Sequence, residues 1–292
     1  MKKVLPLFAS VLLAHAAAAE TLERQAEAPA KGEVEIVNVS GEVRVIGWDR
    51  AQVRLHADLD GDVETVEFER DGDRTSIQVK WPRGRNHGGT ADLTVHVPRA
   101  STLTVNTVSA SQRIENVSGE QRLQSVSGEI RTQVWDEDLD AKNVSGAIVV
   151  TGHGSPASIR ATNVSGMIAL DQVAGELDLN TVNGQIDVRG ASIERAHMKS
   201  TNGETRLSGT LAKGARIDAE AINGSIRLDL RGPLDAEFNI ETFNGSIENC
   251  FGPEPQRTSK YAPGSALRFK EGQGNARVRL KTLNGRIELC RR

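Results

Sequence analysis

Apolar and polar residues alternate along most of this chain, and one phrase keeps punctuating the alternation: apolar, Ser or Asn, Gly, any residue, apolar. It reads Val39-Ser40-Gly41-Glu42-Val43 near the start and Leu283-Asn284-Gly285-Arg286-Ile287 near the end. Between them stand Val117-Ser118-Gly119, Val126-Ser127-Gly128, Val144-Ser145-Gly146 and Val164-Ser165-Gly166. The later copies are Val182-Asn183-Gly184, Ile222-Asn223-Gly224 and Phe243-Asn244-Gly245. With the glycine as position zero, apolar residues recur at −2, +2 and often +4, as in Val144, Ile148 and Val150. Residues two apart share one face of a strand, so each copy predicts a half-buried β-segment with all three positions inward. The glycine then falls on the buried side, where a side chain would crowd the turn or a neighbouring backbone. No helical period appears across residues 30–292, so the chain is expected to be all-β.

The glycine series runs 128, 146, 166, 184, 203, 224, 245 and 285, with Gly119 and Gly175 nine residues out of phase. A return every twenty residues or so predicts a β-solenoid, two short strands per coil, with parallel strands stacked ~4.8 Å apart. The competing fold is an antiparallel meander, sandwich or barrel, because Asn-Gly between alternating apolar residues is also a hairpin signal. Side-chain covariation along the chain favours stacking. Copies with Ser at −1 tend to carry Asn at −3 (Asn38, Asn116, Asn143, Asn163), whereas copies with Asn at −1 usually carry Thr or Ser there (Thr181, Ser200, Thr242, Thr282). Two positions that change type together in blocks suit like-on-like ladders between neighbouring coils.

Residues 20–100 differ. Strand-like runs at 34–37, 43–46, 53–57, 63–69, 76–80 and 93–97 are separated by Asp-Gly and Gly-rich turns. They predict a small antiparallel β cap that covers the open edge of the first coil. The repeat domain is expected over 101–292, interrupted by a Pro-containing excursion over 251–274.

Residues 1–19 read as a secretory signal peptide: Lys2 and Lys3, the apolar run from Val4 to Leu13, and Ala17-Ala18-Ala19 before cleavage. That run is shorter than the ~20 residues a membrane span needs. The expected location is therefore periplasmic or extracellular, at the cell envelope, with no transmembrane segment in the mature chain. Losing the two lysines leaves 34 basic against 39 acidic residues, interspersed, which is not the footprint of a nucleic-acid binder. Aromatic residues make up 3%, too few for base-stacking platforms.

Cys250 and Cys290 each lie five residues after a motif glycine. If the excursion is an insertion within one coil, the two stack on adjacent coils at ~4.8 Å, within disulfide reach. In an oxidising compartment the pair is expected to bond, with buried free thiols or a redox or metal role as alternatives. His56, His87, His96, His153 and His197 are scattered without metal-ligand spacing, although His56 and His96 could meet across the N-terminal sheet. Acids that could serve a glycosidase are Asp136, Glu137, Asp138 and Asp140 beside Trp135, and Glu176, Asp178 and Asp187 along strands. The four Asn-Val-Ser triplets match a glycosylation sequon but are also the repeat itself.

The phrases Val39 to Asp49, Leu93-Thr94-Val95-His96-Val97-Pro98 and the later Thr-x-Asn-Gly-x-Ile copies resemble the bacterial β-strand-repeat "putative adhesin" family, a domain of unknown function in exported and envelope proteins. The resemblance covers about 32–289 and implies a β-solenoid; it supplies no catalytic residue. This chain departs from it in having Ala110 where a motif glycine is expected. The expected function is thus a non-catalytic envelope protein with an adhesin-like or scaffolding role, contacting an envelope macromolecule or partner protein, with no catalytic, cofactor or metal site. The motif glycines Gly41, Gly119, Gly128, Gly146, Gly166, Gly175, Gly184, Gly203, Gly224, Gly245 and Gly285 are expected to serve turns. The alternatives are a polysaccharide-active β-helix enzyme and a regulatory partner in envelope stress.

Overall fold

The computed structural model describes residues 20–61, 63–82, 88–258 and 263–291. The segment read as a signal peptide lies outside them, as does His87. The described residues are strands and turns, and successive coils pair in parallel. Pro156–Ser165 lies beside 174–183, which lies beside 192–202, which lies beside Leu211–Asn223. A second face forms in the same way from Ile148–Gly152, 168–173, 186–190, Thr205–Gly209 and Ile226–Leu230. The fold is a flattened two-sided β-solenoid, and the antiparallel alternative is set aside.

Alternation packs the two faces against each other. Ile159, Leu177, Met198 and Ile217 point inward from one; Ile148, Ile168, Ile186 and Ile226 point inward from the other, and all are at most 3% exposed. Burying each such side chain contributes ~2 kcal/mol, so every coil helps to seal its neighbours rather than standing alone.

Both ends depart from simple sequential stacking. The coil formed by Glu33–Asn38 and Glu42–Trp48 does not lie at the end. It is held in parallel between Arg74–Lys80 and Thr90–Pro98 on one side and Thr102–Thr107 and Ser111–Glu115 on the other. The C-terminal strand Ala276–Arg291 is likewise inserted between Leu211–Asn223 with Ile226–Leu230 and the terminal coil Ala236–Asn249. Antiparallel pairing across residues 20–100 is therefore narrower than the alternation suggests. Among the described residues it is confined to Glu20–Glu27 on Gln52–Asp60, that strand on Thr90–Pro98, and Thr65–Asp71 on Arg74–Lys80. The outermost strand ETLERQAE is mostly exposed and charged, which blunts a sheet edge.

At the other end the excursion carries its own strands. Ser265–Glu271 pairs antiparallel with Ala236–Asn249 and closes that edge. Phe269 stacks on Phe238 with centroids 4.6 Å apart, and Phe251 meets both rings edge-on. An aromatic plug thus covers the last aliphatics of the column. Cys250 and Cys290 are disulfide-bonded with Cα atoms 4.8 Å apart, stapling the terminal coil to the inserted one.

Candidate functional site

The motif glycines form one corner of the solenoid, and the corner explains their identity. A β-carbon on Gly184 would stand 1.8 Å from the Gly166 carbonyl oxygen, and one on Gly203 would stand 1.9 Å from that of Gly184. Coils at β-sheet spacing leave no room there for any side chain. Gly119 and Gly175 sit at the opposite corner, where β-carbons would meet the carbonyl oxygens of Ser101 and Ala157 at 2.2 and 2.5 Å.

One expectation is overturned at this corner. The +2 and +4 residues are inward, as with Ile148 and Val150, but the −2 residues face solvent. Val108, Val126, Val144 and Val164 are 40–48% exposed; Val182, Ile222, Leu283 and Phe243 are 43–66% exposed. The chain turns at the glycine, with φ of 122° at Gly146 and 133° at Gly166, so strand parity does not carry across it. It is the −3 residue that points inward. Stacked coil on coil, the −2 residues from Val108 to Phe243 make an apolar stripe along the corner, broken once by Thr201.

The inward −3 residues satisfy backbone groups of the corner. Asn143 and Asn163 donate to the carbonyl oxygens of Gly128 and Gly146, each at 2.8 Å. Asn38, Asn143 and Asn163 are at most 4% exposed, so these three sequon asparagines are spent on the fold. Where −1 is Asn, the amides form a ladder outside. Asn202 donates to Asn183 at 2.8 Å, Asn223 to Asn202 at 3.1 Å, Asn284 to Asn223 at 2.8 Å and Asn244 to Asn284 at 3.3 Å.

A second feature lies on the flat face formed by 156–165, 174–183, 192–202 and 211–223. A shallow groove of roughly 360 Å³ is bordered there by Arg160, Asp178, His197 and Asp218, with Glu176, Arg195 and Arg216 in the next column. Arg160 reaches Asp178 at 3.2 Å, Arg195 reaches Glu176 at 2.9 Å, and Arg279 reaches Asp218 at 3.9 Å. These pairs are exposed, which makes each worth under about 1 kcal/mol. Sequence reasoning singled out Glu176 and Asp178 but missed their basic neighbours. Reading down the columns six and eight residues before each motif glycine would have found them.

The remaining candidates are dispersed. Asp187 lies on the opposite face, 3.8 Å from Arg189. Asp140 pairs with Lys142 at 2.8 Å, and Trp135 stacks on His153 of the next coil at 4.4 Å. His56 does not pair with His96. Its ring nitrogens face Glu23 and Asp58, each at 3.4 Å, while His96 stands opposite Arg54 and packs on Trp48 at 4.9 Å. Burial, then Arg54, Arg44 and Arg50, hold the His96 imidazole below its ordinary pKa. Cys250, Cys290 and Glu288 offer ligand atoms within 4.8 Å of one another, but bonding between the sulfurs removes the thiolates a metal would need. No helix among the described residues is long and apolar enough to cross a membrane.

Two solved structures share this architecture at low identity. A "putative adhesin" from Parabacteroides merdae ATCC 43184 superposes with a TM-score of 0.56 at 11% identity, covering 92% of this chain and 96% of that one. A "putative lipid binding protein" from Parabacteroides distasonis ATCC 8503 gives 0.52 at 15% identity, covering 92% and 96%. At such identities the likeness is one of fold. No curated protein sequence matches. The Toastrack DUF4097 family model matches twice, over residues 27–174 and 160–290, meeting in the middle of the stack. With nearly every coil accounted for by those two matches, the chain belongs to the Toastrack DUF4097 family.

Proposed function

We propose that this protein is a non-catalytic, exported scaffold of the cell envelope, presenting flat, polar faces to other macromolecules in an adhesin-like role. One observation carries the reading. The polar residues of the groove are equivalent positions of successive coils, Arg160, Asp178, His197 and Asp218, at 18 to 21 residue intervals. A ladder of stacked polar and charged side chains suits an extended ligand held by many weak contacts, whereas catalysis requires unlike groups converging on one bond. The signal-like residues 1–19 and the "putative adhesin" label of a structural relative support an envelope address. Fractionating cells and cross-linking the tagged protein in place tests this: recovery with envelope components supports it, and recovery in the cytosol defeats it.

A second reading has one observation in its favour, because Glu176, Asp178 and Asp218 border the same groove with His197. That is the arrangement a polysaccharide-active enzyme would show. Incubating the purified protein with envelope and capsular polysaccharides decides between them. Cleavage that disappears in Asp178→Asn would replace the scaffold reading with the enzymatic one.

A further inference from the structure

We infer that the apolar stripe on the glycine corner is a homodimer interface, with two copies packed antiparallel about a two-fold axis that crosses the stripe at Val182. The stripe runs through nine consecutive coils, about 38 Å at β-sheet spacing. It is interrupted once by Thr201. Eight of its side chains are 40–66% exposed. Together they offer on the order of 600 Å² per copy, or ~1,200 Å² for a pair, the lower bound of specific interfaces.

Bulk along the stripe is graded. Its first five positions are all Val, and its last three, in spatial order, are Ile222, Leu283 and Phe243. Antiparallel packing sets small against large: Val144 on Ile222, Val126 on Leu283 and Val108 on Phe243. Parallel packing would instead set Phe243 on Phe243 and Val108 on Val108, leaving one end crowded and the other gaping.

Charge selects the same register. In the column four residues before the motif glycine, antiparallel packing about Val182 brings Lys142 of one copy to Glu220 of the other. In the column after the glycine it brings Glu129 to Arg286. No like-charged pair arises in either column. A slip of one coil in either direction sets Lys142 against Lys199 or Lys281, which disfavours both alternatives. The −1 column agrees: Ser127 and Ser145 of one copy face Asn284 and Asn223 of the other, hydroxyl to amide. An anionic membrane is a poorer occupant, since Glu129, Glu220 and Glu241 flank the stripe alongside its lysines.

Sedimentation velocity on the purified protein, repeated with vesicles of anionic phospholipid, tests this. The expected result is a dimer at about 100 μM that Val182→Glu converts to a folded monomer by setting two carboxylates together. Lys142→Glu should weaken dimerisation about tenfold, and adding Glu220→Lys should restore it. Mixing Val144→Cys with Ile222→Cys should give a crosslinked heterodimer under mild oxidation. A wild-type monomer, a dimer indifferent to Val182→Glu, a crosslink of Val144→Cys with itself, or a monomer that binds vesicles would each overturn the inference.

Discussion

Gly224 lies so closely over Gly203 that a β-carbon on it would stand 1.8 Å from the Gly203 carbonyl oxygen. The obstacle is backbone, not a flexible side chain, so the coils must part if a methyl is added. Gly224→Ala should therefore destabilise by at least about 3 kcal/mol, the scale of severe single substitutions. Urea denaturation of the folded variant checks this. A loss under about 1 kcal/mol would mean that the corner is looser than described.

The amide ladder gives a milder effect with a chemical signature. Asn202 donates to Asn183 and accepts from Asn223, so Asn202→Ala breaks two exposed hydrogen bonds. The expected cost is about 1 kcal/mol, since each such bond contributes that much or less. Asn202→Asp keeps the acceptor for Asn223 but turns a carboxylate toward the Asn183 oxygen. It should be the worse of the two variants at neutral pH and recover as the carboxylate is protonated. Melting temperatures at pH 7 and pH 3.5 provide the comparison.

Reduction of Cys250–Cys290 should lower the melting temperature. The bond closes a segment of 40 residues and ties two coils that otherwise meet through sheet pairing and a few side-chain contacts such as Asn244 on Asn284. Chain entropy alone sets the contribution at no more than about 4 kcal/mol. Two titratable thiols in the native protein, or a melt unaffected by reductant, would contradict the staple.

The pH dependence near neutrality should carry a signature of His96. Its folded pKa lies below the ordinary histidine value, with burial as the main cause and Arg54, Arg44 and Arg50 adding to it. The unfolded chain therefore binds the proton more readily. The histidine opposes folding as pH falls through about 6.5 and ceases to matter above it. In His96→Gln the loss of stability between pH 7.5 and 5.5 should shrink relative to wild type. An unchanged slope would place the titration elsewhere.

Much of this was legible in the chain itself. The +2 and +4 alternation located the inward aliphatics, such as Ile148 and Val150, and the covariation of −1 with −3 anticipated stacking. The outward turn of Val144 and its equivalents was not legible, because period-two reasoning assumes an unbroken strand and the glycine corner breaks it. The groove was missed for another reason. Arg160, Asp178, His197 and Asp218 are far apart along the chain and become neighbours only when coils are overlaid. The interchange of coils at the ends leaves no local mark: 276–291 repeats the pattern of 236–249 almost residue for residue, and pattern alone cannot rank two equals in space.

That interchange governs how the molecule can be completed. For a chain emerging N-terminus first, residues 236–249 appear before the strand that must lie between them and the rest of the stack. Growth of the rod cannot finish as a simple zipper. The end winding must wait, tethered by 231–235, until 276–291 arrives to fill the gap. A chain truncated before residue 276 should therefore lose two windings rather than one.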